Sequence, residues 1–217
     1  MLNKRKNILP PQPALRGNNL QLMDLANIYS GYSFRERISD DPDGDVFVVQ
    51  VGDLEAAGTI RWQEVLKTRL PRRGRATWLQ NGDLLLAAKG SRNGVAVVDN
   101  IPGEAICVSN LFIIRVNPDS LLAEFLATYI NDGPGRHYIE QAAEGARVQH
   151  LRKTALEAMP LTPPVLSQQQ HIVALKRAMD DELAVLERLK ENRQDTLAAV
   201  IDVATQGVAD VDGGGRQ

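Results

Sequence analysis

Apolar positions along the chain change their period part-way. Between Leu20 and Leu161 they fall in short runs of β-type composition, VFVVQV, GDLLLAAKG, GVAVV and NLFIIRV. Turn-forming clusters separate them: DPDGD, QNGD, SRNG and NIPGE. One helical pattern interrupts the strands, LLAEFLATYIND, which Gly133, Pro134 and Gly135 should end. The alternation predicts an α+β domain over 20–165 built on a mixed or antiparallel curved sheet. Ahead of it, Met1 to Asn19 carry Pro10, Pro11 and Pro13 with little periodicity, which predicts a mobile or loosely docked arm.

After Leu161 the period lengthens. In MPLTPPVLSQQQHIVAL, Pro163 and Pro164 stop any preceding element. Ser167 is placed to cap a new helix, with Gln170 reaching back to it three residues on. The helical segment is expected over 166–206, regular from about Gln168, with Gly207 ending it and 207–217 as a flexible tail. Met179, Leu183, Leu186, Lys190, Arg193, Leu197, Val200 and Ala204 keep a four-three spacing, the mark of a coiled-coil seam, and Ile172 and Leu175 extend the apolar row upstream. Lys190 and Arg193 interrupt the seam and are read as register-setting positions or as a place where another surface docks. The competing reading is a helix packed back on its own domain with long side chains snorkelling. Against it stands length: roughly 38 residues span about 57 Å, more than so small a domain can cover.

Composition alters the picture little, and charge alters it more. With 217 residues, 43% hydrophobic and 24% charged, the chain is an ordinary globular one. Its single cysteine, Cys107, lies in the apolar run EAICVSNLFII, reads as a small buried hydrophobe, and fits a reducing cytoplasm. Neither a membrane span nor a signal-peptide core is visible, so a cytoplasmic protein without membrane contact is expected. The net charge of −2 conceals segregation: the stretch from Arg61 to Arg92 carries +6 and the remainder −8. That is the footprint of a polyanion-binding surface on an acidic body, or of a solvated basic loop with no partner.

No amino-methyltransferase motif, phosphate-binding glycine loop or metal-spaced His/Cys set occurs, and His137, His150 and His171 are well separated. Asp83 with Lys89 resembles a nuclease fragment but lacks the acidic residue two before the lysine, so Asp83 is better read as a turn residue beside Gly82. Neither catalysis nor a cofactor or metal is expected.

The order GYSFR, VQVGDL, LQNGDLLLAAKG, SNLFIIRVNPDSLLAEFLATYI and EGARVQHLRKTALEAMPLTPPVLSQQQHIV resembles the target-recognition module of specificity subunits from type I restriction-modification systems. The likeness covers nearly the whole chain after Leu20. Its most specific part is the last, since that family closes its module with Pro-Pro-Leu-x-Glu-Gln-Gln-x-Ile before a spacer helix. Here Val165 stands for the second proline and Gln168 for the glutamate. A full family member carries two modules and two helices, so this chain is expected to act as a half-subunit.

The resemblance implies a reader of double-stranded DNA that directs an adenine methyltransferase, with or without a restriction or translocase subunit, in phage defence. Lys67 and, within TRLPRRGRATW, Arg69, Arg72, Arg73 and Arg75 are candidate DNA contacts, divided between base edges and phosphates in a way the sequence leaves open. Lys89, Ser91, Arg92 and Asn93 form a second loop whose glycines allow close approach to a backbone. Arg35, Arg147 and Gln149 fall on polar positions that recur in the family; Gln149 reads adenine or braces its loop. Ile172, Leu175, Met179, Leu183, Leu186, Leu197, Val200 and Ala204 are expected to pair two copies through antiparallel helices. The alternative function is a protein-interaction or regulatory module that keeps the fold without reading DNA.

Overall fold

The computed structural model describes residues 20–55, 58–70, 72–89, 94–143 and 150–209, the side chains of 204 and 206–209 excepted. The expected arm over 1–19, Ser91, Arg92, Asn93, Arg147, Gln149 and the end of the expected tail over 210–217 lie outside the described residues. So does the side chain of Ala204. Two compact units result, Met1–Leu166 and Ser167–Gln217.

In chain order the first unit holds α1 (Leu22–Leu25), β1 (Ala26–Ser30), β2 (Val46–Val49), β3 (Lys67–Thr68), β4 (Leu84–Ala87), β5 (Val95–Val97), β6 (Ala105–Cys107), β7 (Leu111–Val116), α2 (Ala123–Asn131), α3 (Pro134–Ala142) and α4 (Lys153–Glu157). The α+β architecture is as expected, with the strands divided between two sheets. One has the order β1-β7-β4-β5 and is antiparallel throughout. The other has the order β3-β2-β6, antiparallel at β2-β3 and parallel at β2-β6.

The LLLA of β4 is buried at every residue, the signature of a strand covered on both faces. Leu85 and Ala87 join Leu111 and Ile113 of β7 in a cluster with Val49, Ala105 and Cys107 of the other sheet. α2 packs against β5. There the Asn131 side chain accepts from Val95 N at 2.8 Å and donates to Val95 O at 2.9 Å, satisfying backbone groups of an edge strand.

The two repeated motifs have a shared physical purpose. In QVGD and QNGD the glutamine backbone N–H donates to the aspartate three residues on, at 2.7 Å for Gln50 and Asp53 and 2.9 Å for Gln80 and Asp83. The same device opens α1, where Gln21 N donates to Asp24 at 2.8 Å. Each closes a turn by giving an otherwise unpaired donor a charged acceptor. Asp83 does more: it is 1% exposed and bonds Arg115 of β7 through both oxygens at 2.7 Å, while Arg115 also reaches Trp78 O at 3.0 Å. A carboxylate committed in this way holds β4 to β7.

The second unit is one helix, α5 (Leu166–Ala209, 44 residues), about 66 Å long at 1.5 Å per residue. Its ends differ from those expected. Pro163 is kept from helical geometry by the proline after it, whereas nothing restrains Leu166, so the helix starts there and Ser167 lies inside it rather than capping it. At the other end Gly207 does not stop the helix, which runs on to Ala209. One glycine costs about 1 kcal/mol in a helix, too little to break it. Gly133 and Pro134 do end α2, but Pro134 also begins α3, where its missing N–H is not needed.

Candidate nucleic-acid interface

The GYSFR segment crosses from one sheet to the other. β1 ends at Ser30; Gly31 N then donates to Leu111 O at 3.0 Å, and Tyr32 N to Cys107 O at 2.7 Å. A Cβ on Gly31 would stand 2.2 Å from Val108 O, so the close approach that allows the crossing requires glycine. Beyond it the side chains alternate. Tyr32, Phe34 and Ile38 pack on the buried cluster of Val46, Val48, Leu70 and Ile106, with Tyr32 and Phe34 edge-on at 4.8 Å. Arg35, Glu36 and Arg37 are exposed.

The segment after β3 supplies the facing wall. Its backbone is tied to the same region, since Lys67 N donates to the Asp40 carboxylate at 3.1 Å and Asp41 N to Lys67 O at 2.9 Å. Between the walls lies a groove of about 660 Å³ bordered by Arg35, Arg37, Arg69, Arg72 and Arg75, with Glu36 as its one acidic lining residue. Three sequence-predicted arginines, Arg35, Arg72 and Arg75, are thus brought together and, among the described residues, form no ion pair. Arg37 has the same standing and was missed. The cue was its place beside Arg35 in the short polar run Arg35-Glu36-Arg37 that follows GYSF.

Arg69 and Arg73, the other predicted arginines among the described residues, are engaged. Arg69 pairs with Asp41 at 3.2 Å while staying largely exposed. Arg73 lies in the 3-10 turn Arg73–Arg75, contacts Asp45 at 2.6 Å and also Glu104, and sits 5.1 Å from the centre of the Trp78 ring. The Glu104 bond, then that to Asp45, raises its pKa further above the usual arginine value. Lys67 covers the Phe47 ring at 4.8 Å.

Lys89 is elsewhere in the same unit, bridged in antiparallel fashion to His150. On α5, Ile172, Leu175, Met179, Leu183, Leu186, Leu197 and Val200 are exposed. Leu186, Leu189, Lys190, Arg193, Gln194 and Leu197 line a shallow groove of about 450 Å³, and Lys190 bonds Glu187 at 2.8 Å. Cys107 is buried, and burial pushes its thiol up to about 12. Among the described residues no group of acids, histidines and cysteine could hold a metal ion, and no helix is long and apolar enough to cross a membrane.

No protein-family model matches this sequence, and no curated protein matches it. Solved structures do share its fold. The type I restriction-modification S subunit from M. genitalium superposes with a TM-score of 0.51 at 16% identity, over 86% of this chain and 42% of that one. The HsdS subunit from Thermoanaerobacter tengcongensis gives 0.59 at 17% identity, over 83% and 41%. A structure concerned with complex assembly and conformational transition of the type I restriction-modification system gives 0.63 at 17% identity, over 88% and 46%. The chain therefore has the fold of type I specificity subunits and spans less than half the length of each of these neighbours.

Proposed function

We propose that this protein is a non-catalytic DNA-recognition subunit which directs a partner adenine methyltransferase, with or without a restriction subunit, to a two-part site. The observation that carries this reading is the arginine groove: four guanidinium groups that form no ion pair among the described residues, presented by two backbone-anchored segments over an aromatic floor. Arginines not committed to a described carboxylate suit forked contacts to guanine and phosphate. The shared fold of specificity subunits supports the same class. Two copies pair through the exposed apolar row of α5, giving two grooves related by a two-fold axis and hence an inverted-repeat target.

The test is selection of duplexes from a random library by the chain assembled with an adenine methyltransferase subunit. A defined bipartite motif is expected, and Arg72→Ala or Arg75→Ala should relax one position of it. Enrichment of no motif would defeat the reading and favour a module that binds another protein.

A further inference from the structure

A second groove, of about 510 Å³, opens where β1 and β7 meet α4. Its charged and polar lining comes from Ser30, Lys89, Ser109, Asn110, His150, Arg152, Lys153 and Thr154, every one of them exposed, and among the described residues no acidic side chain lines it. Distant parts of the chain build it. Leu151 N donates to Ala88 O at 2.9 Å and Ala88 N to Asn110 O at 2.8 Å, which fastens the stretch before α4 beside the end of β4. Among the described residues Lys153 has one modest attachment, a 3.4 Å pair with Glu157 that is itself partly solvated.

This groove abuts the arginine groove. Ser30 lines one and Gly31 the other, and Ser109 N, from the second groove, donates to Tyr32 O, from the first, at 2.9 Å. The two grooves thus meet at the Gly31 crossing, with Arg35, Arg37, Arg72 and Arg75 lining one and Lys89, Arg152 and Lys153 the other. The two halves differ in kind. The first has arginine forks and an aromatic floor. The second combines flexible lysines with hydroxyl and amide groups, the donors that commonly hold sugar-phosphate oxygens.

We infer that the Lys89–His150–Lys153 groove is a backbone clamp that fixes the register of the duplex whose bases the arginine groove reads. This rests on the DNA-recognition reading above and assigns Ser109, Asn110, His150, Arg152 and Lys153 a part in it. A clamp that touches only phosphates adds affinity equally for all sequences and adds to the salt dependence of binding, about one unit of slope for each phosphate neutralised.

The experiment measures binding of the assembled methyltransferase complex to a mixed-sequence duplex and to the library-selected duplex across a salt series. With Lys89→Gln/Lys153→Gln, the slope against log salt should fall by about two units for both duplexes, the ratio of their affinities staying as in the wild type. His150→Ala, which alters no lysine, should weaken both duplexes by one common factor. If the wild-type complex selects a motif and these variants leave slope and affinity unchanged, the clamp is wrong while the recognition reading stands. If the variants change the selected motif, the groove reads bases and the division of labour is overturned. A wild-type complex that binds both duplexes alike removes the recognition reading and the clamp together.

Discussion

Four arginines within seven residues, Arg69, Arg72, Arg73 and Arg75, have different surroundings, and those surroundings predict different phenotypes. Arg73 is held by Asp45, Glu104 and Trp78, so it anchors the turn that presents its neighbours. Arg73→Ala should therefore weaken recognition indirectly, and Arg73→Lys should restore little, because one ammonium cannot fork between two carboxylates and also stack on the indole. Arg72→Ala or Arg75→Ala should cost about 1–3 kcal/mol at one base position if that side chain forks onto a base. Competition binding against single-base variants separates these outcomes. Asp83 gives a contrast. Asp83→Ala removes both bonds to the part-exposed Arg115 and the turn bond from Gln80 N, and is expected to destabilise the domain by about 1–3 kcal/mol, read from the denaturant midpoint. A variant as stable as wild type would show that the pair is not a fastening. Cys107, with its thiol pushed up to about 12, should resist iodoacetamide at pH 8 in the folded protein and react once urea unfolds it.

Among the elements, α5 and the Gly31 crossing make the sharpest demands. An exposed row of leucines on a helix of 44 residues is costly to leave in water. Leu183→Glu or Leu186→Glu should abolish pairing of two copies, because a carboxylate buried against apolar neighbours costs several kcal/mol. Sedimentation of the mutant complexes tests it, with the domain's circular dichroism unchanged; retention of wild-type pairing by both would remove α5 as the interface. Gly31→Ala places a methyl against the Val108 carbonyl and should displace the whole Tyr32 to Ser39 wall. Loss of DNA selectivity with a folded core is the expected result.

At the scale of the whole molecule, a two-fold pair of identical readers predicts a selected motif that is its own inverted repeat with a constant gap. Light scattering of the complex with its methyltransferase should give two copies of this chain. One copy, or a motif with unrelated halves, would contradict the pairing.

Sequence alone was enough for features that rest on local periodicity and turn chemistry. β2, β4, β5 and β7 follow from apolar runs bounded by glycine and proline turns, and the long helix α5 from its helical spacing, because each is dictated by residues close in the chain. The motif order pointed to the fold. The helix ends were misjudged where single residues were given too much weight: Ser167 as a cap, Gly207 as a stop. Short elements such as β3, β6 and α4 carry too few residues for a period, and only their partners across the sheets stabilise them. The grooves are tertiary in origin. Nothing local to GYSFR says that it lies beside TRLPRRGR, and nothing local to Lys89 says that it pairs with His150. Contacts between residues far apart in the chain decide which arginines acidic side chains hold and which remain free, so the composition of a loop cannot separate Arg73 from Arg72.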